Sequence, residues 1–189
     1  MPYFDVFLNG ERLVTAGDKN LTLMTVSSII VLPAGFPHLL VNGMRKHNGN
    51  FEHFEWQNRE LEYNDTIEVN FIDSPGVKKS YTPMRKKVEK MEIETKAEFF
   101  KKRSSTPSFK SINGRQLARV GYELVFDDSR RFSAIVSGTA TTQVSATWHY
   151  TYPECKIELA NLSESEGKLW METYLNRGHS FSVRIKGEN

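Results

Sequence analysis

Apolar and polar positions alternate through the first third of the chain with the period of a β-strand. Residues 3–8 and 11–15 flank the pair Asn9-Gly10, and Asn-Gly favours a type I′ hairpin turn because both central residues take a positive φ. Further strand-like runs cover residues 21–32, 38–41, 51–56, 60–63 and 66–72. Nothing here has a helical period. The pattern predicts a small antiparallel sandwich or partly open barrel of about six strands.

The last third of the chain repeats the order of strands, turns and prolines of the first third. The clearest matches are Phe4–Leu8 with Tyr122–Phe126, Thr22–Leu32 with Thr142–Tyr152, Trp56 with Trp170, and Ile67–Ile72 with Phe181–Ile185. The matching segments differ by a few residues in spacing, which a shorter loop before Trp170 explains. Sequence identity is low, so chance similarity between two all-β segments is the alternative to a true duplication.

A duplication predicts two β lobes, residues 1–73 and 111–189. Each lobe is too small to be very stable alone, so we expect the lobes to pack as a pseudo-symmetric pair. Residues 167–174 have a second interpretation, because Ser163 and Glu166 match a helical capping box. The repeat favours a strand there, and we adopt the strand.

Residues 74–110 form a connector whose centre has the features of a helix. Thr82-Pro83 supplies an N-cap hydroxyl followed by proline at the first helical position. From Met84 to Arg103 there is no glycine or proline, and apolar residues fall on two opposite helix faces. We therefore predict a helix over 83–103, clamped between the lobes. Strict alternation over residues 91–99 is the rival pattern and favours a strand.

Charge is segregated along the chain, although the net charge is only +2. Residues 1–73 carry 5 Lys and Arg against 10 Asp and Glu, and residues 74–110 carry 11 against 4. Such a connector either lies on the acidic lobe of its own chain or contacts an acidic partner. Lys86, Lys87 and Lys90 are the basic residues we select as candidate nucleic-acid contacts.

Motifs for catalysis are absent from the sequence. It has no nucleotide-binding glycine motif, no H-E-x-x-H and no G-x-S-x-G. His53 and Glu55 share one face of a predicted strand and would hold a metal only with one more ligand. The lone cysteine, Cys155, has no evident base beside it and is interpreted as a structural thiol. We predict no catalytic residue, no cofactor and no metal, and lean against an enzyme.

The sequence lacks the patterns of a membrane span, a signal peptide and an internal disulfide. No apolar run approaches the roughly 18 residues of a membrane span, and the N-terminus lacks the pattern of a signal peptide. A single cysteine permits no internal disulfide. We therefore expect a soluble, cytoplasmic protein that does not contact membranes, as a monomer or a homodimer.

Large aromatic residues on the predicted strands exceed what small cores need. Tryptophan and tyrosine are favoured at protein contacts because they bury a large area and keep a polar tip. We predict a non-enzymatic protein-binding module of the inhibitor, immunity or adaptor type, whose candidate contact residues are Phe54, Trp56, Tyr63, Trp148 and Trp170. Nucleic-acid binding through residues 78–103 is the first alternative, and a small metal-dependent enzyme using His53 and Glu55 is the second.

Overall fold

The computed structural model describes residues 2–18, 20–32, 36–47, 49–73, 119–137, 140–163 and 168–188. Within these ranges the chain forms twelve β-strands and no helix. The strands are β1 (Tyr3–Leu8), β2 (Glu11–Ala16), β3 (Leu23–Val31), β4 (His38–His47), β5 (Asn50–Glu60), β6 (Thr66–Ile72), β7 (Arg119–Phe126), β8 (Arg131–Ser137), β9 (Thr141–His149), β10 (Cys155–Asn161), β11 (Lys168–Leu175) and β12 (His179–Glu188).

Local sequence patterns account for these strands. In β6, the apolar residues Ile67, Val69 and Phe71 are buried, and the polar residues between them are half-buried. The predicted hairpin turn is present between β1 and β2, where φ is 52° at Asn9 and 83° at Gly10. Residues 168–175 form a strand, so the strand interpretation of this segment is confirmed.

The strands build two six-stranded antiparallel sheets. Sheet A has the order β2-β1-β6-β12-β7-β8, and sheet B has the order β11-β10-β9-β3-β4-β5. Each sheet takes three strands from residues 3–72 and three from residues 119–188, and the β6–β12 and β3–β9 pairs join them. The mainly β prediction is confirmed. Backbone pairing within each sheet joins the two halves, whereas the sequence predicted that two β lobes would pack against each other.

Strand registers in the two halves correspond. The pair Val6–Val14 in β1–β2 has its counterpart in the pair Leu124–Phe132 in β7–β8. The β4–β5 pair and the β10–β11 pair each contain one register shift, which leaves Trp56 and Trp170 as the unpaired residues. Such bulges add one residue to one strand and bend it. The Leu32 amide donates to the Ala140 carbonyl as the Tyr150 amide donates to the Thr22 carbonyl. Leu32 therefore corresponds to Tyr150 and Met24 to Thr142, two residues away from the sequence match of residues 22–32 with 142–152. The bulge at Leu13 in β2 has no equivalent in β8.

The apolar faces of both sheets form one continuous core, which defines a two-sheet β-sandwich. Its largest fully buried side chains include Phe4, Phe71 and Tyr122. The Tyr122 hydroxyl on sheet A is hydrogen-bonded to the Thr142 hydroxyl on sheet B. Burial raises the pKa of Tyr122 to about 12. The two sheets are therefore linked by a polar contact inside the core.

A side chain at the β1–β2 turn holds the start of β6. Asn9 Nδ2 donates to Asp65 Oδ1 at 2.7 Å, and Asn9 Oδ1 accepts the Thr66 amide at 2.9 Å. The second half has the same arrangement with different residues. Asp127 Oδ2 accepts the Ser180 amide at 2.9 Å, and Asp127 Oδ1 lies 3.1 Å from His179 Nδ1. These contacts fix each turn against a neighbouring strand.

The connector carries predictions that lie outside the described residues. Residues 74–118 include the whole predicted helix over 83–103 and its rival strand over 91–99. In the part of the chain that the structure describes, there is no helix with the length and hydrophobicity of a membrane span.

Candidate interaction surface

Two of the predicted contact residues lie in the core. Phe54 is 2% exposed and Trp148 is 5% exposed. Phe54 faces inward from β5 opposite Gly43, and Trp148 faces inward from β9, where its Nε1 donates to the Tyr152 carbonyl at 3.0 Å. Alternation places each side chain on the inner face of sheet B, so neither contributes a surface for a partner.

The other three predicted aromatic residues are half-buried and pack against the core. The Trp56 ring stacks on Phe54 with a centroid distance of 5.8 Å and lies directly over Gly43, whose missing side chain makes room for it. Tyr63 lies 6.3 Å from the Phe36 ring, and burial raises its pKa. Trp170 occupies the bulge on β11. These residues stabilise the sandwich and present little free area.

The remaining predicted residues divide into two sets. Lys86, Lys87 and Lys90 lie outside the described residues, so nucleic-acid binding stays a prediction. His53 and Glu55 both project from the outer face of β5, and Glu55 Oε2 accepts a hydrogen bond from Asn58 Nδ2 at 3.2 Å. Across the described ranges, no three His, Cys, Asp or Glu side chains are grouped closely enough to hold a metal ion.

Exposed aromatic residues lie elsewhere, at one end of sheet B. Tyr150 is 61% exposed and Tyr152 is 66% exposed, and both belong to the turn between β9 and β10. Phe51, which is 57% exposed, lies on β5 beside the β4–β5 turn. Strand alternation continued to residue 152 would place Tyr150 and Tyr152 on one face with Trp148. Strand β9 ends at His149, one residue before Tyr150, and the turn that follows directs both tyrosines into solvent.

Strand pairing brings these residues to the same end of the sheet. His149 on β9 pairs with Leu23 on β3, Leu23 pairs with Met44 on β4, and Met44 pairs with His53 on β5. Paired residues share one face, so the four side chains form a row across the outer face of sheet B. We name this row together with the aromatic residues at its two ends the aromatic end of sheet B: Leu23, Met44, Phe51, His53, His149, Tyr150 and Tyr152.

The β9–β10 turn holds its tyrosines in a defined arrangement. The His149 ring lies 4.7 Å from the Tyr150 ring and 6.1 Å from the Tyr152 ring, centroid to centroid. His149 Nδ1 lies 2.6 Å from the Thr151 hydroxyl. The Tyr150 amide donates to the Thr22 carbonyl at 3.0 Å, which ties the turn to the start of β3. An ordered turn loses less conformational entropy when a partner binds it.

A polar rim borders the aromatic end on the side of β10 and β11. Lys156 Nζ lies 2.8 Å from Glu158 Oε1 and 3.8 Å from Glu172 Oε2. The hydrogen bond to Glu158, together with its charge, raises the pKa of Lys156. The Tyr174 hydroxyl donates to Glu172 Oε1 at 3.0 Å, and this bond raises the pKa of Tyr174. Apolar and aromatic groups inside a charged rim are the usual composition of a protein contact surface.

Comparison with known proteins gives no relative for this sandwich. The chain matches no protein-family model, no curated protein and no solved structure. The fold and the surface chemistry therefore provide the basis for a functional proposal.

Proposed function

We propose that the protein is a non-enzymatic protein-binding module, and that its contact surface is the aromatic end of sheet B. The observation that carries this proposal is the exposure of Tyr150 and Tyr152, at 61% and 66%, on a turn that backbone hydrogen bonds and the His149 ring hold in place. A tyrosine side chain has only two rotatable torsions, so it supplies a large contact area at a low entropic cost.

The surroundings of the two tyrosines support a protein partner. Leu23 and Met44 are half-buried in the row beside them and supply an apolar floor. Methionine adapts its shape to a partner because its chain is unbranched and its sulfur is polarisable. Lys156 and Glu172 on the rim supply charges that orient a partner and set the association rate. An inhibitor, immunity or adaptor role uses a surface of this kind.

The burial of Cys155 argues against a cysteine nucleophile. Its thiol is buried, and burial raises its pKa, so the reactive thiolate is disfavoured. We also propose that the protein is cytoplasmic.

The decisive experiment compares a double variant with a matched control. The partner is isolated by affinity purification with the full chain, and its dissociation constant is measured by titration calorimetry. We expect Tyr150→Ala with Tyr152→Ala to weaken binding about tenfold or more, because central aromatic residues dominate contact energies. Leu169→Ala, an exposed apolar change on edge strand β11, is the control and leaves the affinity unchanged.

Two results would contradict the proposal. One is a partner that binds the double variant and the wild type equally well. The other is co-purification of nucleic acid alone, with binding that falls steeply with salt and is lost in Lys86→Glu with Lys87→Glu, which favours the alternative.

We further propose that the two halves are copies of one ancestral β unit, joined by the basic connector. The support is the correspondence of strand registers, with bulges at both Trp56 and Trp170. Chance would have to reproduce the pairing of every strand. Because the sheets are shared, we expect separate fragments 1–73 and 111–189 to be largely unfolded alone and to regain β structure by circular dichroism when mixed. Fragments that fold independently and stay apart would contradict a shared sandwich.

A further inference from the structure

The four edge strands of the sandwich differ in how they are protected against pairing with another chain. Three edge strands each contain one bulged residue: Leu13 in β2, Trp56 in β5 and Trp170 in β11. Bulges twist an edge and interrupt its hydrogen-bonding pattern. Strand β8 pairs with β7 from Arg119–Ser137 to Val125–Arg131 without any shift. Its edge is therefore regular.

The sequence of β8 also lacks the usual protective residues. After Arg131 the strand contains no charged residue and no proline, the two residue types that most often block an edge. Its middle residue on the outer face, Ile135, is 66% exposed. The other edges carry charges within the strand, such as Arg12 on β2 and Glu172 on β11. A regular and uncharged edge is suited to strand addition.

Alternation of the hydrogen-bonding pattern identifies the free backbone groups. The Phe126 amide donates to the Arg130 carbonyl at 2.9 Å, and in an antiparallel pair the residues that exchange such bonds alternate along the strand. Phe132 and Ala134 therefore direct their backbone groups toward β7. Ser133 and Ile135 direct theirs away from it, and no other described strand pairs with them.

We infer that β8 pairs antiparallel with β8 of a second copy of this chain, extending sheet A across a two-fold axis at Ile135. With the axis at this residue, Ile135 faces the partner's Ile135, and the most exposed aliphatic side chain of the described strands is buried against itself. Ser133 then lies opposite the partner's Ser137, so no like charges meet between residues 133 and 137. The outward backbone groups of both strands are satisfied. This contact is separate from the aromatic end of sheet B.

Two measurements test whether β8 pairs with β8 of a second copy. We expect sedimentation equilibrium of the full chain to show a concentration-dependent dimer. We expect Ile135→Lys to raise its dissociation constant about tenfold or more, because two ammonium groups would meet at the axis. The control Leu169→Lys, a similar change on β11, leaves the dimer intact. On the wild-type chain, the Ser133 and Ile135 amides exchange hydrogen quickly when dilute and slowly when concentrated. The Phe132 and Ala134 amides are protected at both concentrations.

Three results would overturn the inference. A chain that remains monomeric at every concentration excludes the dimer. A dimer that Ile135→Lys does not weaken uses another surface. Slow exchange of the Ser133 and Ile135 amides in the dilute monomer means that another strand of the same chain covers β8. The exchange measurement needs only the wild-type chain, so the inference stays testable even if a variant fails to fold.

Discussion

The hydrogen bond between Tyr122 and Thr142 provides a measurable test of how the two sheets are held together. Tyr122 on β7 is 2% exposed, and Thr142 on β9 has no exposed surface. Their hydroxyls bond across the core. The variant Tyr122→Phe removes one hydroxyl and leaves the Thr142 hydroxyl buried without this partner. We expect most of the destabilisation to come from the Thr142 hydroxyl, which is left buried without its partner, and less from the lost bond itself.

The magnitude follows from the energetics of buried polar groups. A buried hydroxyl that loses its partner costs about 1–3 kcal/mol, whereas removing both partners with little change of shape is nearly neutral. We therefore expect Tyr122→Phe and Thr142→Val each to lower the free energy of unfolding by about 1–3 kcal/mol. The double variant is less destabilised than the sum of the two. The counterparts of this pair in the first half are the apolar residues Phe4 and Met24, both buried, so an apolar pair fits this place in the sandwich.

Urea denaturation of all four proteins, monitored by tryptophan fluorescence, measures the coupling between the two positions. A double-mutant cycle is appropriate because the two side chains are in direct contact. Strict additivity of the two losses would refute the reasoning, since it would mean that neither hydroxyl depends on the other. A neutral Tyr122→Phe would refute it as well.

The same residue predicts a loss of stability in alkali. Burial raises the pKa of Tyr122 from its ordinary value of 10.0 to about 12. Between these two pH values the unfolded chain has lost the phenolic proton and the native protein still holds it, so stability falls as pH rises through this window. Two pKa units correspond to about 3 kcal/mol at the upper end. Tyr122→Phe removes this contribution, so its free energy of unfolding should fall less between pH 10 and 12 than that of the wild type. An equal fall in the two proteins would contradict the prediction.

Three further changes test the interior. Ser28→Ala is expected to raise the free energy of unfolding by about 1 kcal/mol, because the buried Ser28 hydroxyl has no hydrogen-bond partner within the described chain; a lower urea midpoint would contradict this. Gly43→Ala is expected to lower it by about 1–3 kcal/mol, because the new Cβ would lie 2.7 Å from the Trp56 ring; an unchanged midpoint would show that the ring moves freely. Cys155 is expected to resist a maleimide reagent until the protein unfolds, since its thiol is buried with a raised pKa, and rapid labelling of the native chain would disprove its burial.

Local patterns predicted strands well where alternation was unbroken, as in β6. They were less informative around Trp56. The sequence indicated separate strands over 51–56 and 60–63, whereas β5 runs without interruption from Asn50 to Glu60. The bulge at Trp56 breaks the alternation by one residue, so the second part of the strand loses its recognisable pattern. The bulge depends on the register in which β5 pairs with β4, which the pattern of β5 alone does not encode.

The binding surface illustrates the same limit. The abundance of aromatic residues indicated a contact surface, but the choice among them depended on which face each one occupies. Phe54 and Trp148 face the core. Tyr150 leaves the sheet only because β9 ends at His149, a boundary that pairing with β3 and β10 decides. Strand ends are the least predictable part of a pattern, and here the surface lies at a strand end.

Counterpart positions in the two halves separate what the fold requires from what it does not. Asn9 and Asp127 each accept a backbone amide at the start of the last strand of their half, although one side chain is neutral and the other acidic. The bond to the amide is common to both because it secures the turn. Tyr150 has no such equivalent: its counterpart is Leu32, which is 2% exposed. A sandwich that folds with a buried leucine there does not need an exposed tyrosine, and this favours recognition as the reason for Tyr150.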